Sequence, residues 1–381
     1  MKKIKVLQFP MANAYGGITQ YALQNWRYIN KEKFQFDFAT LSKTRLYFED
    51  EVTAEGCRIF YISCYAEQDE KRFSDEVRKI LAEDYDAVHL HTSYWKSFLV
   101  EKLAKEAGVR TIIVHAHNTS VLGGGEGRSA EIARHEQCVA ALDETLATDF
   151  WACSKAAAKW LYGNSVPEEK IVIQKNAIDL DRFRYDPVAA QRMKAALGWE
   201  DKFVIGHVGR FTYQKNHEFL ARIFRTVHGQ YPETRLLLVG MGPERVKIES
   251  MLAEWGISDA VQIVEKRNDV HVLMQAMDCF MFPSRFEGLP IVLVEAQAVG
   301  CTCLVSDAVT DEVALTDQIS YLPLDEDKWT RALAERIEAN AVRNNFGADQ
   351  LHACGYDIKE QIRNIEKGYA ARVGETADGN Q

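Results

Sequence analysis

Eight cysteines are present, yet no two are spaced as a CxxC pair. Cys57, Cys64, Cys138, Cys153, Cys279, Cys301, Cys303 and Cys354 are scattered, several of them inside apolar runs. The pattern reads as buried thiols in a reducing compartment rather than a disulfide framework. No stretch approaches the roughly 18 apolar residues of a membrane span. The start, MKKIKVLQFP, carries only a short apolar run before Pro10 and no visible signal peptide. A cytoplasmic location is the expectation. Positive charge is in deficit, with 46 Lys and Arg against 55 Asp and Glu and a net charge of -9. That argues against nucleic acid as a partner, because phosphate backbones attract basic surfaces. The GxGxxG fingerprint is missing, so a nicotinamide dehydrogenase loses its best support. There is no internal sequence repeat and no low-complexity segment.

What is present is ordinary soluble composition, 47% apolar and 27% charged over 381 residues, enough for two or three domains. Short apolar runs alternate with amphipathic stretches. Strands are predicted at Ile4–Phe9, Phe34–Leu41, Arg58–Ile62, Ala87–His91, Thr111–His115, Phe150–Cys153 and Ile171–Gln174. Helices are predicted between them, among them Trp95–Ala107 and Ser129–Ala147. The pattern loosens over 176–202, then restarts with strands at Phe203–Val208, Arg235–Val239, Val261–Val264, Cys279–Pro283, Thr302–Ser306 and Ile319–Leu322. Such alternation predicts an α/β chain of two Rossmann-like domains, each a mostly parallel sheet covered by helices, with a ligand cleft between them. The expected division is 1–180 and 181–357, with a last helix over 358–373 packing back on the first.

The densest chemistry lies at 279–300, CFMFPSRFEGLPIVLVEAQAVG. An apolar strand ends in a loop holding Glu287, Gly288 and Leu289. Pro290 then opens an apolar helix that ends at Gly300, the usual proline-first, glycine-last asymmetry. Glu287 and Glu295 bracket the helix start, and carboxylates accept hydrogen bonds from vicinal hydroxyls. A dipole-complementing acid and a surface acid also account for them. A second cluster, GHVGRFTYQKN, places Gly209, Arg210 and Lys215 between a strand and a helix. Two cations there suit a diphosphate, or form a solvated loop. Gly16 and Gly17 after the first strand permit close backbone approach to an anion at a helix start; a simple turn also fits. His115, His117 and the earlier pair His89 and His91 alternate along strands. Core hydrogen bonding is the reading for His89, His91 and His115, while His117, followed by Asn118-Thr-Ser, is the ligand-facing candidate. The pairs Asp84/Asp86, Asp179/Asp181 and Asp325/Asp327 read as turn or cap acids, and no metal or other cofactor is expected.

Taken in order, GGITQYALQNW, VHAHNTS, ACSKAAAKWLYG, VIQKNAIDLDRF, HVGRFTYQKNHEFL, LLLVGMGPE, RNDVHVLMQAMD and MFPSRFEGLPIVLVEAQAVG resemble the retaining glycosyltransferases of GT-B architecture, family 4, group 1. The similarity spans nearly the whole chain and points to the capsular and exopolysaccharide subgroup. It implies that Arg210 and Lys215 bind the donor diphosphate and stabilise charge on the departing nucleotide. Glu295 would hold ribose hydroxyls, and Glu287 with the Gly288-Leu289 backbone, next to Pro290, the donor sugar. Arg267 and Asn268 would line the base pocket. Gly17 would sit near the phosphates from the opposite domain, Gly16 and Gly209 would also serve the donor, and His117 would contact the donor sugar near the reacting carbon. The 1–180 domain would be the acceptor domain and the 181–357 domain the donor domain. No protein nucleophile is evident.

Two departures stand out. EGLPIVLVE lacks the Phe-Gly common in the acidic motif, as in the capsular subgroup, which leaves the donor sugar open. LGGGEGRSAEIARHEQ replaces a basic helix by a glycine-rich stretch with matched charges, which leaves only weak peripheral association with the inner face of the plasma membrane. The implied activity is metal-independent transfer of a sugar from a nucleotide-sugar, UDP-linked by expectation, to a glycan or lipid-linked glycan precursor of a bacterial surface polysaccharide. The rivals are a GT-B epimerase or phosphorylase and a non-catalytic sugar-nucleotide binding module. Lys215→Ala is expected to lower turnover without unfolding the protein.

Overall fold

The computed structural model describes residues 2–13, 16–121, 127–265, 269–339, 343 and 345–373. The chain forms two compact units. One runs through Val121, resumes as far as Lys175 and takes back the chain from Ile358; the other is Asn176–Asp357.

In the first unit the strands are β1 (Ile4–Met11), β2 (Phe34–Thr40), β3 (Ile59–Tyr61), β4 (Ala87–Thr92), β5 (Thr111–Ala116), β6 (Asp149–Ala152) and β7 (Ile171–Ile173). They form one sheet in the order β3-β2-β1-β4-β5-β6-β7, with every pairing parallel. In the second unit β8 (Phe203–Val208), β9 (Thr234–Val239), β10 (Val261–Val264), β11 (Cys279–Phe282), β12 (Thr302–Ser306) and β13 (Ile319–Leu322) give the order β10-β9-β8-β11-β12-β13, again all parallel. In each sheet the first strand of the unit sits where the order reverses. The crevice outside the carboxyl ends of strands at such a point is where α/β sheets bind ligands.

Buried central strands flanked by amphipathic helices form the core of each sheet. Phe219, Leu220, Ile223, Phe224 and Val227 fall on one face of helix His217–Gln230 and pack on Leu236, Leu238, Met281 and Leu304. Each such side chain contributes about 1.5–3 kcal/mol, so this stripe fixes the helix whatever its polar face carries. Trp329 and Leu333, from helix Glu326–Ala339, join the same core. Helix Ile358–Ala370 belongs to the first unit. Its Tyr369 is fully buried, and a Cβ at Gly368 would stand 2.4 Å from Trp151, so only glycine lets the helix come this close.

Two expected helices are shorter than their periodicity implies. The one expected from Trp95 starts at Leu99, because Trp95 is held in the preceding loop: its amide donates to His135 Nδ1 (3.0 Å) and its indole to Leu161 O (2.7 Å). The one expected to reach Ala147 ends at Ala140, where a turn follows in which the Thr145 amide donates to the Asp143 carboxylate. Helices Glu70–Leu81, Glu326–Ala339 and Gly347–Ala353 were not anticipated.

Candidate functional site

In the second unit the loops after β8 and β11 are laced together. The Gly209 amide continues the sheet by donating to Val239 O (3.0 Å), and Phe211 N donates to Met241 O (2.9 Å). Gly240 lies under this loop so closely that a Cβ would meet Gly209 O at 2.0 Å; one at Gly242 would meet Phe211 O at 2.4 Å. Asn216 adopts a left-handed conformation (φ 57°) just before helix His217–Gln230. Its side chain does not cap that helix; Nδ2 donates to Pro283 O (3.2 Å) and Oδ1 accepts from Arg285 (2.8 Å). Arg285 N donates to Gln214 O (2.8 Å), and Gln214 Nε2 to Phe286 O (2.9 Å).

This lacing puts Lys215 Nζ 2.7 Å from Glu287 Oε1 and 4.5 Å from the centre of the Phe282 ring. The two side chains are 15% and 9% exposed. Arg210 is exposed on the same loop. Beneath it lie His207, which faces Met281 O through Nδ1 (2.8 Å), and His217, stacked on Phe211 with ring centres 4.0 Å apart. Burial, reinforced by the Lys215 charge, holds both imidazoles below their ordinary range.

The helix after β11 is Ile291–Ala298. Pro290 is its N-cap rather than its first residue, because its ψ of 114° is extended. Gly300 follows with φ 68°, the left-handed conformation that ends helices. Leu289 O accepts from Asn176 Nδ2 (2.7 Å), which fixes the loop carrying Glu287, Gly288 and Leu289. Glu295 lies on the helix, where burial pushes its carboxyl up to about 7 against the pull of Arg182. Arg267 and Asn268 fall outside the described residues.

In the first unit Gly16 and Gly17 stand at the start of helix Gly17–Tyr28, and a Cβ at either would meet nothing within 4 Å. His117 directly follows β5, partly exposed. Its Nε2 lies 2.9 Å from His91 Nδ1, and His89 Nε2 lies 3.0 Å from His115 Nδ1. Tyr21 meets all four rings at steep angles, with centres 5.0–6.3 Å away. His89, His91 and His115 bring ring nitrogens within 4.8 Å of one another, a spacing that suits a metal. Both nitrogens of His89 and of His91 are engaged in hydrogen bonds, so an ion there would have to break that network. The aspartate pairs act locally: Asp86 accepts from Lys5 N, Asp179 from Asp181 N and Asp325 from Lys328 N. Sequence reasoning missed Gln8, Tyr369, Gln214, Asn216 and Arg285. Only Gln8, a polar residue inside the apolar run of β1, carried a local signal.

Two family models match the chain: "Glycosyl transferase 4-like domain" over residues 16–177 and "Glycosyl transferases group 1" over 190–347. A Bacillus subtilis (strain 168) protein assigned as glycosyltransferase EpsF is 32% identical over 355 residues, 91% of this chain and 91% of that one. The Escherichia coli UDP-Gal:alpha-D-GlcNAc-diphosphoundecaprenol alpha-1,3-galactosyltransferase is 23% identical, covering 97% of this chain and 98% of its own. Among solved structures, Anabaena HepE in complex with UDP and glucose superimposes with a TM-score of 0.79 at 16% identity, covering 97% of this chain and all of that one. WaaG, a glycosyltransferase involved in lipopolysaccharide biosynthesis, does so with a TM-score of 0.73 at 15% identity, covering 98% and 100%. These likenesses make the fold GT-B. Among the described residues no helix is long and apolar enough to cross a membrane.

Proposed function

This chain belongs to the group 1, family 4-like glycosyltransferases, and from that premise we propose that it moves a sugar from a UDP-sugar, with retention and without a metal, to a lipid-linked glycan precursor in bacterial surface polysaccharide synthesis. The observation that carries the reading is the Lys215–Glu287 pair on loops following β8 and β11. A diphosphate entering at the start of helix His217–Gln230 draws Lys215, while Glu287, relieved of its cation, accepts hydrogen bonds from sugar hydroxyls. Arg210 adds an exposed forked contact to the phosphates. The two cations neutralise charge as it develops on the departing UDP, the work a metal does in other transferases. Gly209 keeps the backbone close to the phosphates, and Gly16 and Gly17 stand at a helix start that an anion can approach closely. Glu295 takes the ribose hydroxyls, Arg267 and Asn268 the base, and Gly288, Leu289 and Pro290 present backbone to the sugar. His117 contacts the sugar near the reacting carbon, and the acceptor hydroxyl attacks the face from which UDP departs.

UDP as the nucleotide and a diphospholipid as the acceptor anchor are supported by the UDP-bound HepE structure and by the substrate named for the Escherichia coli relative. Weak association with the cytoplasmic face of the membrane follows from such an acceptor. The test is release of nucleotide from UDP-, GDP- and ADP-sugars with a crude bacterial lipid fraction, in EDTA, with the anomeric configuration of the product read by NMR. UDP release giving a retained anomer supports the reading. Inversion, or activity that EDTA abolishes and magnesium or manganese restores, overturns the corresponding part.

A further inference from the structure

Gln8 lies within β1, 1% exposed, and both ends of its amide are engaged. Nε2 donates to Tyr369 Oη (3.1 Å), and Oε1 lies 2.9 Å from His91 Nε2. His91 Nδ1 faces His117 Nε2 at 2.9 Å. On the other side Tyr369 Oη lies 2.7 Å from His89 Nδ1, and His89 Nε2 lies 3.0 Å from His115 Nδ1. Burial holds all four imidazoles below their ordinary range, so the rings are neutral. A neutral ring has one N–H and one lone pair, and an amide oxygen only accepts. For this placement of the amide the contacts therefore permit one proton arrangement in the His91–His117 arm. His91 carries its proton on Nε2, toward Gln8, and accepts on Nδ1. His117 must then donate from Nε2. In the other arm Tyr369 accepts from Gln8, and its oxygen either donates to His89 Nδ1 or accepts from it, so this amide placement does not set the direction of that arm.

We propose that Gln8 is a positioning residue for His117: by accepting the His91 proton it draws the His117 proton to Nε2 and presents the His117 Nδ1 lone pair to a ligand hydroxyl. The opposite placement of the amide would reverse the protons of the His91–His117 arm and make His117 a donor at Nδ1. The orientation of one buried side chain thus decides whether His117 holds a sugar hydroxyl as a donor or as an acceptor. The inference rests on the reading of His117 as a sugar contact, and the hydroxyl belongs to the donor sugar or to the acceptor.

The test is a two-bond nitrogen–proton NMR spectrum of protein labelled with nitrogen-15 histidine, which needs no turnover. The expected wild-type pattern for His117 is a pyridine-type Nδ1 and a pyrrole-type Nε2; the reverse pattern overturns the proposal outright. Gln8→Leu should lose that pattern. Gln8→Glu keeps an acceptor for His91 and should retain it, which guards against a leucine variant that fails to fold. Tyr369→Phe cuts only the other arm and should change His89 while leaving His117 as it was. A folded Gln8→Leu protein with an unaltered His117 pattern contradicts the relay. With a UDP-sugar that the enzyme turns over, Gln8→Leu should lower kcat about tenfold at nearly constant KM, with Gln8→Glu closer to wild type. A changed pattern with unchanged kcat rejects the positioning role and removes His117 from the reaction, while the transferase reading stands on its own assay. Movement of the His117 Nδ1 signal on adding the UDP-sugar alone assigns the hydroxyl to the donor, and movement only on adding lipid acceptor assigns it to the acceptor. No movement with either overturns the contact.

Discussion

Lys215 and Glu287 are 72 residues apart in the chain, and their charged ends meet at 2.7 Å behind the Gly209–Asn216 loop. Neither group was placed beside the other by any local pattern. The contact exists because Gln214, Asn216 and Arg285 tie two loops of one sheet together. In the proposed mechanism the pair holds both charges in place until a diphosphate and a sugar separate them.

That contact changes what Lys215→Ala should do. Glu287 is buried, and removing one member of a buried ion pair takes away the other's counter-charge, typically at a cost of about 3 kcal/mol. Lys215→Ala should therefore lose stability as well as turnover. The double variant Lys215→Ala, Glu287→Gln should recover most of the stability and none of the turnover. Urea midpoints at constant m-value measure this; an unshifted midpoint for Lys215→Ala would show that the pair is not a buried one.

Glu295 should make donor use depend on pH. Its carboxyl is pushed up to about 7, so below that value it is protonated and accepts hydroxyl hydrogen bonds poorly. As pH rises from 6 to 8 the carboxylate fraction climbs about tenfold, and kcat/KM for the donor should climb with it. Glu295→Gln should flatten that limb. A wild-type profile already flat across this range would reject the ribose role.

Glu101 offers a stability test away from any ligand. It is 5% exposed on helix Leu99–Glu106, and burial raises its carboxyl from 4.5 to about 7. Between those values the folded protein keeps a proton that the unfolded chain has released. Stability from this group is therefore present in full below 4.5, is lost as pH rises toward 7, and is constant above. Glu101→Gln should shrink the stability difference between pH 5 and pH 8 by on the order of 2 kcal/mol, measured by thermal unfolding. An identical pH dependence in both proteins would refute the assignment.

Gly209→Ala tests the closeness of the loop. Its Cβ would stand 2.8 Å from His207 Nε2 and 3.2 Å from Lys215 Cγ and Cδ. Lys215 must move by a few tenths of an ångström, and positioning errors of that kind are costly to catalysis. Turnover should fall at least tenfold with the fold intact by circular dichroism. Unchanged kinetics would mean that the loop does not set the position of Lys215.

Strands were the most legible feature. Phe203–Val208, Val261–Val264, Thr302–Ser306 and Ile319–Leu322 stand at the bounds their apolar runs predict; the two central ones, Phe203–Val208 and Thr302–Ser306, are largely buried and so read as continuous apolar runs, while the edge strands Val261–Val264 and Ile319–Leu322 are only partly buried. Helix Glu70–Leu81 was hidden for the opposite reason: only Phe73, Val77, Ile80 and Leu81 mark an apolar stripe among charges. The residues carrying charge and hydroxyl-binding chemistry, Arg210, Lys215, Glu287 and Glu295, were visible as residue types in loops and at helix starts. Their partners were not. That Gln8 touches Tyr369, 361 positions away, depends on the last helix returning to the first unit, and no local spacing encodes that return.

The most direct test of the account is calorimetric titration of UDP into wild-type protein and into Arg210→Ala. Arg210 is the exposed cation of the loop, so its loss disturbs no buried pair. The account predicts saturable UDP binding by the wild type in the presence of EDTA, at least tenfold weaker in Arg210→Ala. Equal affinity in the two proteins would contradict the diphosphate site, and no binding of UDP or of any UDP-, GDP- or ADP-sugar would contradict the proposal that this chain is a nucleotide-sugar transferase.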